Sequence, residues 1–242
     1  MSIKLELHVH TKYSHDSIMP FWLLYLKCAF FNISYIAITE HNNIKGALAF
    51  SDYCKKRGDK LKVIIGEEIM TTQGEIIGLF LKEEIKAGLT PDETIEEILK
   101  QKGIVYVPHP YDLKRYKTVL DEQVIKANKD KIHCIEIHNG RNISKEYDVK
   151  QKEIADKYAI LPVIGSDAHT IFEIGRNYIQ ISKIPDTPTN FLEALRNAEF
   201  KSKECLKFCH TLTKFARVIK FIERGDISGL YRVIHRKFIE TK

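Results

Sequence analysis

The sequence predicts an α/β barrel, in which short strands alternate with helices and close into one ring. Two observations carry that expectation. Short β-branched runs alternate with helix-period segments through most of the sequence. Small groups of His, Asp and Glu recur at or just beyond the C-terminal ends of the strand-like runs. A barrel accounts for the second observation, because it gathers those strand ends on one face. The chain has 242 residues, 44% hydrophobic and 29% charged, which is enough apolar material for one sizeable core.

Ile3–Val9 reads as the first strand. The apolar stretch from Ile18 to Ile38 is interrupted by Pro20, Lys27, Asn32 and Ser34. A membrane span needs roughly 20 mostly apolar residues, so the stretch reads instead as a helix over Phe21–Phe31 and a strand over Tyr35–Thr39. A helix over Asn43–Arg57 and strands over Leu61–Ile65 and Ile76–Leu81 follow. The helix over Pro91–Lys102 is the best marked: Thr90 caps it, Pro91 suits its first position, Glu93 completes a capping box and Gly103 supplies the stop. Strands over Ile104–Val107, Ile132–Ile137 and Leu161–Ile164, with a helix over Ser144–Tyr158, complete the alternation.

After Asn190 the pattern changes to helices alone. Phe208, Leu212, Phe215, Ile219 and Ile222 recur at helical spacing, as do Ile227, Leu230, Ile234 and Phe238, with Gly225 between the two runs. This predicts a C-terminal helical hairpin packed on the barrel through an apolar seam, with its basic residues facing outward. The expected division is a barrel over 1–190 and a basic α-helical extension over 191–242.

The net charge of +6 belongs to that extension: residues 201–242 carry 11 Lys and Arg against 4 Asp and Glu. Such helices can hold nucleic acid or an anionic surface, or present a solvated face around an apolar seam. No aromatic stripe for single-strand binding is interleaved with the charges. The N-terminus lacks the apolar core of a secretory signal, and five cysteines, an odd number with no C-x-x-C pair, suit reduced thiols in a cytoplasmic protein without a transmembrane segment.

Six polar clusters carry the chemistry: His8-Val-His10, Asp16, Thr39-Glu40-His41, Gly66-Glu67-Glu68, Pro108-His109-Pro110 and Gly165-Ser166-Asp167-Ala168-His169. In H-x-H at a strand end, residues i and i+2 point to the same side, so both imidazoles can bind one cation. D-x-H does the same with a carboxylate, and Glu68 can bridge two ions. Any one of these histidines alone reads as a satisfied core residue. Their joint occurrence at successive strand ends points to metal, because packing by itself does not call for so many buried polar groups. Mixed His and carboxylate ligation suits two or three divalent ions, Zn, Mn or Fe ahead of Mg.

The run His8-Val-His10-Thr11-Lys12-Tyr13-Ser14-His15-Asp16 resembles the opening motif of the polymerase and histidinol phosphatase (PHP) family. The clusters at 39–42, 66–68, 107–110 and 165–169 resemble its later motifs, in order. The resemblance covers about residues 1–185 and implies a distorted (β/α)7 TIM-like barrel with a di- or trinuclear metal centre that hydrolyses phosphate esters. Carried over by motif, His8 and His10 would bind a first metal bridged by Glu68 and Asp167, and His109 a second with Glu68. Asp16, His41 and His169 would hold a third. Asp16 is preferred to His15 because the family's ligand lies six residues after the second histidine of H-x-H. One position departs from the pattern: where members often carry a histidine, this chain has Glu75, which can ligate through oxygen or remain an ordinary strand residue.

A phosphoester needs cationic partners, and the planar fork of Arg suits phosphate. Arg115 follows the 108–110 loop, Asn139 and Arg141 frame an Asn-Gly-Arg turn, and Arg176 is a weaker candidate. The expected activity is hydrolysis of a phosphomonoester, or of a nucleotide or oligonucleotide phosphoester, by a metal-bound hydroxide. Asp167 would orient or deprotonate the water and His169 would assist. The alternatives are a 5′ or 3′ exonuclease on short DNA or RNA, a C–N amidohydrolase, and a non-catalytic metal-stabilised binding module. The expected substrate is a phosphorylated small molecule or nucleotide, with nucleic acid as a further partner through the basic helices.

Overall fold

The computed structural model describes residues 2–58, 60–226 and 228. In chain order the elements are β1 (Ile3–Val9), α1 (Phe21–Phe31), β2 (Ile33–His41), α2 (Lys45–Lys55), β3 (Lys62–Thr71), β4 (Gly74–Leu79), α3 (Pro91–Lys100) and β5 (Ile104–Val107). There follow α4 (Glu122–Asn128), β6 (Cys134–Asn139), α5 (Lys145–Tyr158), β7 (Leu161–Gly165), β8 (Tyr178–Ile181), α6 (Pro188–Leu195), β9 (Glu199–Lys201) and α7 (Lys207–Glu223).

One sheet runs in the order β7-β6-β5-β4-β3-β2-β1-β8-β9. It curls until its first strand meets its seventh: Ser166 N donates to Leu7 O at 2.9 Å, His10 N to Ala168 O at 2.9 Å and Ala168 N to His8 O at 3.1 Å. The other half of β1 pairs antiparallel with β8, through Ile3, Lys4 and Leu5. β1 thus divides its two ends between two neighbours, and the ring nearly closes. β4 runs antiparallel to both β3 and β5, which distorts an otherwise parallel barrel.

Strand alternation decides what faces inward. Leu5, Leu7, Ala37, Ile64, Ile77, Leu79, Tyr106, Cys134 and Val163 fill the barrel, and Phe191, Ala194 and Leu195 of α6 pack into the same cluster. The outward phase of β1 and β2, with Val9, Ile36 and Ile38, packs under α1 and α2. Ile76, Val105, Val107 and Ile135 pack under α3 to α5.

The capping box at α3 forms as expected: Glu93 N donates to Thr90 Oγ1 at 3.3 Å and Thr90 N to Glu93 Oε2 at 2.8 Å. Its stop differs, since Lys102 takes the left-handed conformation (φ 60). Gly103 is needed beside it because a Cβ there would sit 2.8 Å from Leu79 O. The strand edges also differ. β3 continues to Thr71, because its pairing with β4 supplies ladder partners past Ile65. α4, β8 and β9 were not expected; each is short, and β9 lies inside the stretch that reads as helices alone.

A boundary at residue 190 would cut α6, whose next residue, Phe191, is fully buried in the barrel core. The first helix of the expected hairpin is α7, but its orientation reverses the expected one. Cys209, Thr213 and Ala216 face the barrel, while Phe208, Leu212, Phe215, Ile219 and Ile222 are exposed. The second helix, over 227–238, lies outside the described residues apart from Ser228. Among the described residues, no helix is long and apolar enough to cross a membrane.

Candidate metal centre

β1 carries the feature that sets up the site. After Leu5 and Leu7, simple alternation would send Val9 inward and His8 outward. Instead His8 takes φ 62, with a shift in register between Glu6 and Val9. This bulge changes the phase of the strand, so that His8 and His10 follow Leu7 into the barrel and Val9 joins the helix layer. The other strands need no such device: His41, Glu68, Glu75 and Glu136 share the inward phase of Ala37, Ile64, Ile77 and Cys134. His109 (φ 29) and Asp167 (φ 49) also hold positive φ. Such a conformation costs on the order of 1–3 kcal/mol for a non-glycine residue and concentrates at functional sites.

The residues expected as ligands, spread over 160 positions of sequence, meet in one buried cluster. Glu68 lies at its centre. Its Oε1 is 3.2 Å from His8 Nε2 and 3.1 Å from His109 Nε2, and its Oε2 is 3.4 Å from His10 Nε2 and 2.9 Å from His41 Nδ1. Asp167 Oδ1 lies 3.6 Å from His8 Nε2 and 3.7 Å from His10 Nε2. Asp16 Oδ1 lies 3.5 Å from His41 Nε2 and 3.2 Å from His169 Nε2.

Glu75 belongs to the cluster as well, 3.4 Å from His109 Nε2 and 3.8 Å from His41 Nδ1. Its place follows from the antiparallel run of β4, which starts beside the end of β3 and sets Glu75 opposite Met70. His15, the fallback to Asp16, is largely exposed, with Nε2 3.8 Å from Asp16.

These separations fit shared cations. Donors about 2.0–2.1 Å from a tetrahedral ion lie about 3.3 Å from one another. Among the described residues, the buried Nε2 atoms of His8, His10 and His41 and Oδ1 of Asp16 have no hydrogen-bond partner, and they converge on the same space. Orphaned donors and acceptors are costly when buried, and a divalent ion satisfies several at once.

Charge tells the same story. Burial works to raise the Asp16 carboxyl, but the neighbouring His169 and His41 outweigh it and hold it well below the usual range. Burial likewise opposes ionisation of Glu68, and His8 and His41 overcome it. Burial and then the charge of Glu68 push Glu75 up to about 7. His10 is driven well below its ordinary value by burial and then by His169 and His41, which leaves a neutral imidazole suited to ligation.

A second layer orients the imidazoles. Glu136 accepts from His8 Nδ1 (2.8 Å), Tyr106 Oη (2.5 Å), His109 N (2.7 Å) and Asn139 Nδ2 (2.8 Å). This leaves the His8 Nε2 lone pair free to face the cluster. Glu40 works through Ser14, whose hydroxyl donates to Glu40 Oε2 at 2.5 Å and lies 3.1 Å from His10 Nδ1. Glycines make room for both acids: a methyl on Gly165 would overlap Glu136, and one on Gly46 would overlap Glu40.

Sequence reading assigned neither acid a role. The available signal was a charge inside an apolar strand, as in Ile135-Glu136-Ile137. Glu136→Gln is expected to keep the fold and weaken metal affinity about 10- to 100-fold, the usual scale for a second-layer partner. Metal titration of the purified variant checks this, and unchanged affinity would remove Glu136 from the orienting network.

A cavity of about 390 Å³ opens above the cluster, a volume typical of small-molecule sites. Its acidic lining residues, Asp16, Glu68, Glu75 and Asp167, all belong to the cluster on its floor, whereas Lys114, Arg115, Lys117, Arg141 and Arg217 line its walls. Arg115 Nη1 reaches Asp167 Oδ2 at 2.5 Å, and the buried Nη1 of Arg141 lies 3.7 Å from Glu173 Oε1 with no hydrogen-bond partner among the described residues.

Asn139 is a correction. It does not line the cavity; its amide donates to Glu136, and its Oδ1 accepts from Arg141 N at 3.0 Å, so it shapes the turn that presents Arg141. Arg176 turns away to Glu204 O at 2.9 Å. Arg217 was missed, because helical spacing by itself gave no reason to place it inward.

A nearly closed α/β barrel with a buried His and carboxylate cluster that could hold metal ions defines the class of protein. The comparisons identify the family within that class. Residues 6–241 match the model of the PHP domain, and the chain belongs to the PHP domain family. It is 37% identical over 221 residues to uncharacterized protein MJ0417 of Methanocaldococcus jannaschii, covering 88% of this chain and 86% of that protein. It is 47% identical over 121 residues to uncharacterized protein MJ1587 of the same organism, covering 45% and 68%.

Among solved structures, it resembles a two-domain protein of Bacteroides vulgatus containing a predicted PHP-like metal-dependent phosphoesterase. The TM-score is 0.66 at 19% identity, over 84% of this chain. The chain spans 65% of that protein's length. PsfC of Pseudomonas syringae matches with a TM-score of 0.62 at 12% identity, over 90% and 98% of the two chains. At these identities the likenesses show the fold.

Proposed function

We propose that this protein is a metal-dependent phosphoesterase that hydrolyses a phosphomonoester, a nucleotide being within the same class. The observation that carries the reading is the division of charge in the cavity. Carboxylates and imidazoles form the floor, and cations form the walls, where Arg115 and Arg217 lean on the floor carboxylates Asp167 and Asp16 and Arg141 lies 3.7 Å from Glu173. A floor of that kind suits two or three divalent ions, with Zn, Mn or Fe preferred to Mg because five imidazoles contribute. Its ligands would be His8, His10, Asp16, His41, Glu68, Glu75, His109, Asp167 and His169. When bound, such ions acidify a water and neutralise the phosphate oxygens as the ester bond breaks.

The chain's own residues do the rest. Burial works against the Asp167 charge, but Arg115, His8 and His169 hold its carboxyl well below the usual range. It is therefore an anionic acceptor that orients a water rather than a strong base. His169 keeps its ring fixed through Nδ1, 2.8 Å from Asp167 O, and presents Nε2 to the cavity floor. Arg115 and Arg141 would hold the phosphate oxygens, Arg141 through Nη1, which lies 3.7 Å from Glu173 Oε1 and makes no hydrogen bond among the described residues. Five free thiols support a reducing, cytoplasmic location.

The test is metal analysis of the purified protein coupled to turnover of AMP, histidinol phosphate, 5′-phosphorylated oligonucleotides and simple amides. Phosphate release from the monoesters, and none from the amides, is expected. An oligonucleotide rate that exceeds the mononucleotide rate and falls steeply with salt would favour the exonuclease. Amide cleavage would favour C–N hydrolysis. A fully metal-loaded protein that turns over nothing would be a binding module.

A further inference from the structure

We propose that α7 is the roof of the substrate cavity, and that its Arg217 selects substrates by gripping a terminal phosphate. This deepens the phosphoesterase reading and rests on it for the identity of the substrate.

The helix is built for that position. His210, Thr213 and Arg217 follow one another at helical spacing along one face, and all three line the cavity above the metal-ligand cluster. The roof is pinned at both ends of that face. Thr213 Oγ1 accepts from Arg141 Nη2 at 2.9 Å, and Lys220 Nζ donates to Lys12 O at 2.8 Å. α7 is thereby tied to the turn that presents Arg141 and to the loop between His10 and Asp16. The apolar side of the helix faces away, so the polar face was not turned inward by burial of hydrophobic surface. Its inward orientation instead follows these polar ties and the small residues Cys209, Thr213 and Ala216 beneath them.

Arg217 spans the gap between roof and floor. Its Nη2 lies 2.8 Å from Asp16 Oδ2, while Asp16 Oδ1 faces His41 and His169. The guanidinium side chain is 47% exposed and the Asp16 carboxylate 2%. The cation is therefore the mobile partner. A divalent ion on Asp16 would take up the charge that now holds Arg217, and a guanidinium beside a divalent ion needs an anion.

Arg115, Arg141 and Arg217 stand on three separate elements around one cavity. A terminal phosphate offers three outer oxygens to such a set. A diester offers two, and its second arm would have to pass the roof. The class selected is thus a small phosphomonoester dianion.

The experiment uses full-length, metal-loaded Arg217→Ala and Arg217→Lys beside wild type, with p-nitrophenyl phosphate, bis(p-nitrophenyl) phosphate and calorimetric titration of inorganic phosphate. For Arg217→Ala, KM for the monoester and Kd for phosphate should each rise about tenfold or more, with kcat and metal content nearly unchanged and the diester affected little. Arg217→Lys should recover part of the loss.

Three results would overturn the inference: unchanged KM and Kd in Arg217→Ala, equal losses on monoester and diester, or metal lost together with phosphate. The last would make Arg217 merely an orienter of Asp16. If wild type hydrolyses neither ester while Arg217→Ala still loses phosphate affinity, the roof assignment stands and the phosphoesterase reading falls.

Discussion

Glu68→Gln should leave the barrel folded, strip most of the bound divalent metal and lower turnover by on the order of a thousandfold or more. Each Glu68 oxygen faces two imidazoles, so one carboxylate organises His8, His10, His41 and His109. Glutamine keeps the shape but offers one acceptor oxygen and turns an N–H₂ toward the other pair. A ligating charge is worth several kcal/mol, and each 1.4 kcal/mol or so is a factor of ten, which sets the expected scale. Metal stoichiometry and single-turnover rates measure it, with circular dichroism to verify the fold. A variant that keeps its full metal content and rate would show that Glu68 is not the bridge.

Removing the metal from the intact protein should destabilise it strongly and reversibly. Without cations, four carboxylates and five imidazoles share one buried cluster, and the Nε2 atoms of His8, His10 and His41 make no hydrogen bond among the described residues. An ion at a thousand times its dissociation constant stabilises the folded state by about 4 kcal/mol. For a chain of this size that corresponds to a Tm shift of about 8–16 °C. Exhaustive chelation, confirmed by metal analysis, should therefore lower Tm by that amount, and adding Zn or Mn should restore it. Amide exchange should rise first in the loops at 10–17 and 166–170, whose geometry the cluster holds. An unshifted Tm in verified apoprotein would mean that the cluster is held together by its own hydrogen bonds and ion pairs alone.

Much of the fold was legible because strands and helices announce themselves locally. β1, α1 and β5 have the ends that alternation and periodicity assign them. The short elements did not announce themselves. β8 and β9 are four and three residues long; β8 exists because β1 offers it an edge, and β9 because β8 then offers it the next. That edge is a property of the closed sheet, so no local pattern reports it. α7 was legible as a helix but not in its orientation. Its apolar stripe suggested a buried seam, yet ties to Arg141 and Lys12 turn the other face inward.

Which residues could act together was already set by their order and spacing along the chain. Histidines and acids at successive strand ends must converge if the strands form a barrel, and that holds whatever the detailed register. Tertiary structure decided how they converge. A bulge at His8 reverses the phase of one strand, and an antiparallel β4 returns Glu75 to the face that its position at the start of a strand would otherwise have denied it. The C-terminal helix brings Arg217 to Asp16 across 201 residues of chain. The reason is physical: periodicity encodes which side of an element is buried, whereas bulges, strand direction and the packing of a helix are settled only when distant segments compete for the same hydrogen bonds and space.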